Sequence, residues 1–189
     1  MFIKFVEEFL TKEECNQLIE LGESYSLIQM KSSKLVNGKV IESNVEYAGN
    51  QRKGCYFVDD ALSLPLLESI NKKIITLSNN LKPFNSIEYT AIPKYSFNRY
   101  DAGDFLEWHE DRHEILGGAT ITYIIQLNDN YDGGLVKYMI EGIEYSVPKI
   151  EGSILIFDSN ITHSVEPIVS GNRYSLNVWP TSKKTINLI

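Results

Sequence analysis

The amino-acid sequence predicts an α+β fold in which N-terminal helices precede a double-sheet sandwich or jelly roll. Two stretches within the first 81 residues have apolar side chains at helical spacing. From residue 87 onward the pattern changes to short segments rich in β-branched and aromatic residues, separated by Gly, Asn and Asp. Helices followed by many short strands are typical of this fold class.

The first predicted helix is "TKEECNQLIELGES" (11–24). Thr11 and Glu14 have the spacing of a capping box, and Gly22 is predicted to end the helix. Helical spacing continues through Cys15, Leu18, Ile19 and Leu21. The second helix is predicted over 64–81, with Pro65 in its first turn. Between the two, residues 31–58 are strand-like in patches, and Asn-Gly in "VNGKV" (36–40) predicts a hairpin turn.

The C-terminal half should contain the chemistry, since barrels of short strands hold ligands in their mouths. We therefore expect the functional residues among 95–180. Strands are predicted within 89–100, 119–128, 135–142, 143–149, 152–159, 162–168 and 173–180.

Composition excludes several classes of protein. With 18 basic and 25 acidic residues the formal charge is −7, which argues against a non-specific grip on nucleic acid or on an anionic membrane. Cys15 and Cys55 belong to no metal or disulfide motif and are expected to be free thiols. The N-terminal stretch resembles neither a signal peptide nor a membrane span, so a cytoplasmic protein is expected.

The stretch "WHEDRHEIL" (108–116) allows two interpretations. On a helix, His109 and His113 would share a face and Glu110 could act as the general base of a zinc protease. That interpretation lacks a third ligand at short spacing, because residues 117–119 are Gly-Gly-Ala. On a strand, His109 and Asp111 would point to the same face instead. The remaining histidine, His163, would then complete a two-histidine, one-carboxylate set of the kind that binds Fe(II).

Arg173 adds a candidate for binding a carboxylate. If "EPIVSG" is the bend of a hairpin, His163 and Arg173 stand opposite each other on paired strands, ~5 Å apart between Cβ atoms. Arg173, Ser175 and Asn177 would share one face of their strand. A dicarboxylate bound beside a metal would explain a polar face inside an apolar barrel.

Two segments carry a resemblance to a known family. "NRYDAGDFLEWHED" has Tyr100, Gly103, His109 and Asp111 in the order found in the 2-oxoglutarate- and Fe(II)-dependent oxygenases. "HSVEPIVSGNRYSLNVW" (163–179) matches the family at His163, Pro167, Gly171, Asn172, Arg173, Asn177 and Trp179. Weaker matches are "FLTKEECNQLIELG", "NQRKG" (50–54), "YDGG" (131–134) and "VPKIEGSILIF" (147–157). The chain is most similar to the prolyl 4-hydroxylase-like branch, which includes bacterial and phage members.

The resemblance implies a double-stranded β-helix, another name for this jelly roll, with flanking N-terminal helices. It implies a single domain over 1–189, with helical support over about 1–85 and a catalytic core over about 86–181. Iron would be bound by His109, Asp111 and His163. Arg173 would bind the distal carboxylate of 2-oxoglutarate, to which Tyr100 would donate its hydroxyl. Thr122, Ile124, Gln126, Ser175 and Asn177 would line that pocket. Candidates for the substrate rim are Arg52, at a position that the resemblance favours, and Trp108, Trp179 and His113, which the resemblance does not mark for that role.

The activity implied by the resemblance is hydroxylation of a prolyl C–H bond in a peptide or protein. The reaction would consume O₂ and release succinate and CO₂, with ascorbate as a reductant. Hydroxylation of a free amino acid or another small molecule is an alternative on the same fold, as is an inactive jelly-roll binding module. The chain departs from the family pattern at Gln126, where Tyr is frequent, and at Leu135, where an acidic residue is usual.

Overall fold

The computed structural model describes residues 1–30, 33–36, 39–42, 50–81, 89–92, 94–111 and 121–182. Helix α1 spans Lys12–Glu23 and helix α2 spans Pro65–Asn80, and a short 3₁₀ helix covers Asp59–Ser63. Both α-helices lie where the apolar spacing and the caps predict them. No helix within the described ranges is long and apolar enough to cross a membrane.

Most of the described chain is β-structure, as predicted. The strands are β1 (Ile3–Val6), β2 (Ile28–Gln29), β3 (Ser33–Val36), β4 (Lys39–Glu42), β5 (Asn50–Gln51), β6 (Lys53–Phe57), β7 (Tyr89–Ala91), β8 (Tyr95–Tyr100), β9 (Phe105–His109), β10 (Ile121–Gln126), β11 (Asp132–Gly133), β12 (Val136–Ile140), β13 (Ile143–Ser146), β14 (Ile154–Asp158), β15 (His163–Val165), β16 (Ile168–Ser170), β17 (Arg173–Val178) and β18 (Thr181–Ser182). Strands β3 and β4 pair as the predicted hairpin, whose turn residues 37–38 lie outside the described ranges.

Two sheets make up the core of the fold. A seven-stranded sheet has the order β1-β14-β10-β17-β8-β6-β2, and a five-stranded sheet has the order β13-β12-β15-β9-β5. The chain therefore alternates between the sheets, which is the connectivity of a jelly roll. The N-terminal region supplies β1, β2, β5 and β6 to these sheets, so it contributes more than helical support.

Side chains along the central strands point alternately to the two faces of the seven-stranded sheet, and each face carries an apolar cluster. Tyr123 and Ile125 of β10 face the helices and pack with Leu18, Ile70 and Ile74. Ile124, on the other face of β10, belongs to an inner cluster that draws side chains from both sheets and from the segments between them: Tyr100, Leu106, Ile124, Tyr131, Val136, Val147, Leu155, Phe157, Ile161, Val165 and Ile168. The space between the sheets is thus apolar, and every polar side chain within it requires a partner.

The sequence prediction for the His163–Arg173 hairpin is wrong. Strand β15 pairs with β12 and β9, whereas β17 pairs with β10 and β8. Between them β16 pairs with β11, so the chain crosses from one sheet to the other instead of folding back on itself. His163 and Arg173 therefore project from opposing sheets, which equal spacing from a bend could not reveal.

Helix α1 begins as predicted but does not end at Gly22. The Thr11 hydroxyl accepts from the Glu14 amide at 3.2 Å, and the Glu14 carboxylate accepts from the Thr11 amide at 2.9 Å. Gly22 lies within the helix, which continues to Glu23. A Cβ atom on Gly22 would overlap the ring of Phe97, which is fully buried. The glycine thus permits close approach of the helix to the sheet.

We expect Gly22→Ala to destabilise the protein by about 1–3 kcal/mol, because overpacking a buried ring outweighs the helix propensity gained. Chemical denaturation would measure the free energy of unfolding. Asn16→Ala, at an exposed position of the same helix, is the matched control and should leave stability unchanged or slightly raised. Stabilisation by Gly22→Ala would show that the ring can move away.

Both cysteines are buried free thiols, as predicted. Burial raises the pKa of Cys15 to about 12 and that of Cys55 to about 11. These thiols are therefore protonated at neutral pH.

Candidate active site

The segment before His109 is a strand, which decides between the two interpretations of "WHEDRHEIL". Residues Phe105–His109 form β9 and pair with β15 and β5. The helix that a zinc protease would need, with His109 and His113 on one face, is therefore excluded, because its first half is a strand. His113 itself lies outside the described residues.

A bulge in β9 places His109 beside His163. Val165 pairs with Leu106 while His163 pairs with His109, so β9 contains one extra residue over this interval. Leu106 is buried in the inner cluster, and the extra residue lets His109 point to the same side. The two imidazole rings lie 4.1 Å apart between centroids. Simple alternation along a strand does not predict this pairing.

His109, Asp111 and His163 converge on one point. His109 Nε2 lies 3.5 Å from Asp111 Oδ1, and His163 Nε2 lies 3.5 Å from Asp111 Oδ2. One ligand atom from each residue falls within 4.8 Å of the others. Among the residues that the structure describes, this is the group of His, Cys, Asp and Glu side chains that can hold a metal ion.

Both histidines are oriented by backbone carbonyls. His109 Nδ1 lies 2.8 Å from the carbonyl oxygen of Glu107, and His163 Nδ1 lies 3.0 Å from that of Ile161. Each Nδ1 must donate its proton to its carbonyl, so the Nε2 lone pairs face Asp111. This arrangement is typical of histidines that ligate a metal through Nε2.

Neighbouring side chains fix the Asp111 carboxylate. Thr122 donates its hydroxyl to Asp111 Oδ2 at 3.0 Å, and the Trp179 indole donates to the same oxygen at 3.4 Å. The Asp111 amide donates to the Ser159 carbonyl at 2.9 Å, and the Ser159 hydroxyl contacts that of Thr122. The sequence prediction assigned Thr122 to the cosubstrate pocket and Trp179 to the substrate rim, whereas both contact Asp111.

Electrostatics keep the cluster in the form that binds a cation. Burial raises the pKa of Asp111, but His163, His109 and the Thr122 hydroxyl outweigh burial and hold it well below its usual range. Burial lowers the pKa of His163 to about 4 against the attraction of Asp111. At neutral pH the cluster thus offers an ionised carboxylate and a neutral His163 imidazole.

Arg173 is buried without a carboxylate partner in the described part of the chain. It is 1% exposed, and its guanidinium donates to Gln126 Oε1 at 3.0 Å and to Ser175 Oγ at 3.2 Å. Its Nε has no hydrogen-bond partner. Two neutral acceptors leave the positive charge uncompensated, which is costly in an apolar interior unless an anion binds there.

Tyr131 is a member of this cluster that sequence reasoning missed. Gln126 donates to the Tyr131 hydroxyl at 2.9 Å while its amide oxygen accepts from Arg173. The phenol is buried, and burial raises its pKa although Arg173 opposes the change. Family patterns frequently place a Tyr where this chain has Gln126, and here the phenol comes from the segment "YDGG" instead. Its position near Arg173 depends on a loop path that local sequence patterns do not reveal.

The remaining predicted pocket residues lie on strands β8, β10 and β17, and Tyr100 and Gln126 are the ones beside Arg173. Tyr100 is the β8 partner of Arg173, and the guanidinium carbon lies 5.1 Å from the centre of its ring. Ile124 and Gln126 line a small, partly open pocket together with Tyr131, Lys149 and Ser153. Asn177 pairs with Ile124 across the sheet, and its buried side-chain oxygen has no hydrogen-bond partner.

Two of the proposed rim residues remain candidates for substrate contact. Arg52 is half-buried, its Nε and Nη1 have no hydrogen-bond partner, and its guanidinium carbon lies 6.0 Å from the centre of the Tyr100 ring. Trp108 lies in the bulge of β9 and is 40% exposed.

The fold and this cluster are similar to those of one class of protein. Residues 95–181 match the model of the 2OG-Fe(II) oxygenase superfamily. This match spans slightly less than half of the chain, and together with the jelly roll and the His-Asp-His cluster it supports a 2OG-Fe(II) oxygenase. The family and the cluster support Fe(II) and 2-oxoglutarate as cofactor and cosubstrate.

Other proteins are similar to this chain in sequence or in fold. A PKHD-type hydroxylase of Acaryochloris marina is 24% identical over 182 residues, covering 94% of this chain and 77% of the relative. A prolyl-4-hydroxylase of Pseudomonas putida superposes with a TM-score of 0.74 at 17% identity, covering 94% of this chain and 91% of its own. A Trichoplax adhaerens prolyl hydroxylase, in complex with a hypoxia inducible factor peptide fragment, superposes with a TM-score of 0.72 at 21% identity. The superposition covers 98% of this chain and 86% of that one.

Proposed function

We propose that this chain is an Fe(II)- and 2-oxoglutarate-dependent dioxygenase that hydroxylates a prolyl residue in a peptide or protein, releasing succinate and CO₂. The observation that carries the proposal is the convergence of His109, Asp111 and His163 in the same barrel as Arg173, a buried cation without a carboxylate partner among the described residues.

The donor set fits iron. His109 and His163 would each bind through Nε2, and Asp111 through its carboxylate. Their spacing suits one first-row cation, whose bonds to nitrogen and oxygen are ~2.0–2.2 Å long. Two histidines and one carboxylate leave further positions open, which is the arrangement of non-haem Fe(II) oxygenases.

The surroundings of Arg173 fit a dicarboxylate. The guanidinium would bind the distal carboxylate of 2-oxoglutarate, and the Tyr100 hydroxyl would donate to the same cosubstrate. Gln126 and Ser175 hold the guanidinium in place, and Tyr131 holds Gln126. The unpaired donor of Arg173 and the unpaired oxygen of Asn177 supply hydrogen-bonding capacity that a polar ligand would use.

Iron and 2-oxoglutarate, when bound, supply the chemistry that activates O₂ toward a C–H bond. The chain's own residues orient the reactants and exclude water. Thr122 and Trp179 hold Asp111, and the carbonyls of Glu107 and Ile161 hold the two histidines. The rings of Phe157 and His163 pack in a T-shaped arrangement with their centroids 4.7 Å apart. Apolar neighbours such as Phe157 protect the centre from bulk solvent.

The prolyl substrate is proposed from the kinship with prolyl hydroxylases. Arg52 supports a polar substrate, because its Nε and Nη1 have no hydrogen-bond partner and its guanidinium carbon lies 6.0 Å from the centre of the ring of Tyr100, a proposed cosubstrate residue. A peptide carbonyl is an acceptor suited to such a guanidinium.

The experiment that tests this function is aerobic incubation with Fe(II), 2-oxoglutarate, ascorbate and either proline-rich peptides or free proline. We expect succinate formation that depends on Fe(II) and on 2-oxoglutarate, and a peptide product heavier by one oxygen atom. Hydroxylation of free proline but not of the peptides would indicate that the substrate is a small molecule. Absence of succinate under all these conditions would indicate a binding module without catalytic activity and would contradict the proposal.

A further inference from the structure

One row of side chains crosses the five-stranded sheet from the candidate metal ligands to solvent. His109 pairs with His163, His163 with Tyr138, and Tyr138 with Tyr145, on strands β9, β15, β12 and β13 in turn. Residues directly opposite each other on paired strands point to the same face. The two tyrosines therefore extend the inner face of the sheet outward from the histidines.

The tyrosines form a flat aromatic surface. Their rings stack with centroids 5.3 Å apart and an angle of 12° between planes. Tyr138 is partly buried against the inner cluster, whereas Tyr145 is 40% exposed. Ile143 continues this face toward the hairpin tip and is 57% exposed. We call Tyr138, Tyr145, Ile140 and Ile143 the aromatic ledge.

The hairpin that carries the ledge is well defined. Its turn is Glu141-Gly142, and both residues have positive φ angles, 51° and 79°, as a two-residue hairpin turn requires. On its outer face Lys137 forms ion pairs with Glu144 and Glu166, each at 2.6 Å. Charged groups are thus paired on the outer face, while the inner face presents apolar side chains to solvent.

We propose that the aromatic ledge binds the part of a proline-rich, extended polypeptide that flanks the hydroxylated residue. This inference rests on the proposed function and names a binding surface for its substrate. The ledge is continuous with the His109–His163 pair through Tyr138, so a chain lying on it leads directly to the candidate iron site.

The chemistry of the ledge favours this occupant. Aromatic surfaces bind proline-rich segments because polyproline II helices are already extended and lose little entropy on binding. Tyr145 and His163 lie two strands apart in this row. Neighbouring strands lie about 4.8 Å apart, so the backbones at these two residues are about 10 Å apart. A polyproline II segment covers that distance with about three residues. A free amino acid cannot reach both places.

The test is a binding titration of the peptide Ac-(Pro)₁₀-NH₂ against protein loaded with Zn(II) and 2-oxoglutarate, which does not turn over. We expect Tyr145→Ala to weaken peptide binding about tenfold, since central aromatic contacts commonly contribute that much. Tyr145→Phe keeps the ring stack and should bind within about twofold of the wild type. The short probe N-acetylproline amide should bind equally to wild type and Tyr145→Ala.

Met139→Ala is the matched control. Met139 lies on the neighbouring strand of the same hairpin with 37% exposure, but it alternates with Tyr138 and faces the other side. It should leave decapeptide binding unchanged. The proposal is overturned if the decapeptide does not bind the wild type, or if Tyr145→Ala binds it as well as wild type. Two other results would contradict the proposed function and not the ledge: 2-oxoglutarate binding that does not depend on the metal, or absence of succinate formation.

Discussion

Replacing His163 by Ala is expected to lower Fe(II) affinity, and with it succinate formation, by more than about 100-fold. Loss of an outer partner of a metal ligand already costs about 10–100-fold, so loss of a ligand should cost more. Asp111→Ala and His109→Ala should behave alike. Anaerobic Fe(II) titration measures the affinity, and circular dichroism checks that each variant is folded.

The control for these variants is His113→Ala, which should bind Fe(II) like the wild type. The milder Thr122→Val removes the hydroxyl that donates to Asp111 while keeping the side-chain shape, and we expect it to lower Fe(II) affinity about 10–100-fold. If His113→Ala lost Fe(II) and His163→Ala retained it, the ligand assignment would be wrong.

Arg173→Met should raise the KM for 2-oxoglutarate by about 100-fold or more. Each hydrogen bond to a charged group contributes about 1.5–3 kcal/mol, and a guanidinium can make two to one carboxylate. A thermal shift gives an independent measurement, because a ligand that binds only the folded state raises the midpoint. 2-Oxoglutarate with Zn(II) should stabilise the wild type more than Zn(II) alone, and at the same concentration it should add much less stability to Arg173→Met.

Arg99→Met is the matched control for that variant. Arg99 pairs with Asp101 at 2.6 Å and with Glu23 at 3.2 Å, so its charge is already compensated within the protein. Its removal should leave the KM for 2-oxoglutarate within about twofold, since a partly exposed ion pair contributes at most about 1 kcal/mol. An equal effect of the two arginine variants would indicate that Arg173 acts through general stability.

Local sequence patterns predicted the features that depend on neighbouring residues. The capping box of Thr11 and Glu14 is formed, because its partners lie three positions apart on one helical turn. The segment "FLEWH" is a strand as that interpretation requires, and His109 lies beside Asp111, although the strand ends at His109 and Asp111 lies beyond it. Each of these features is determined within a few residues of the chain.

Features that depend on how distant segments meet could not be predicted in this way. Equal spacing around Ile168 suggested that His163 faces Arg173, but the chain changes sheets there. The carbonyls that orient His109 and His163 belong to the backbone, so no residue type marks them. Gly22 resembles a helix stop locally, and only Phe97 on a distant strand explains its presence within the helix.

The most direct measurement is a crystal structure of the protein grown anaerobically with Fe(II) and 2-oxoglutarate, with diffraction data collected at the iron absorption edge. We expect one anomalous peak per chain, bonded to His109 Nε2, His163 Nε2 and the Asp111 carboxylate. Density for 2-oxoglutarate should place one carboxylate on Arg173. An iron peak bonded to His113 and not to His163, or a cosubstrate that does not touch Arg173, would contradict the account.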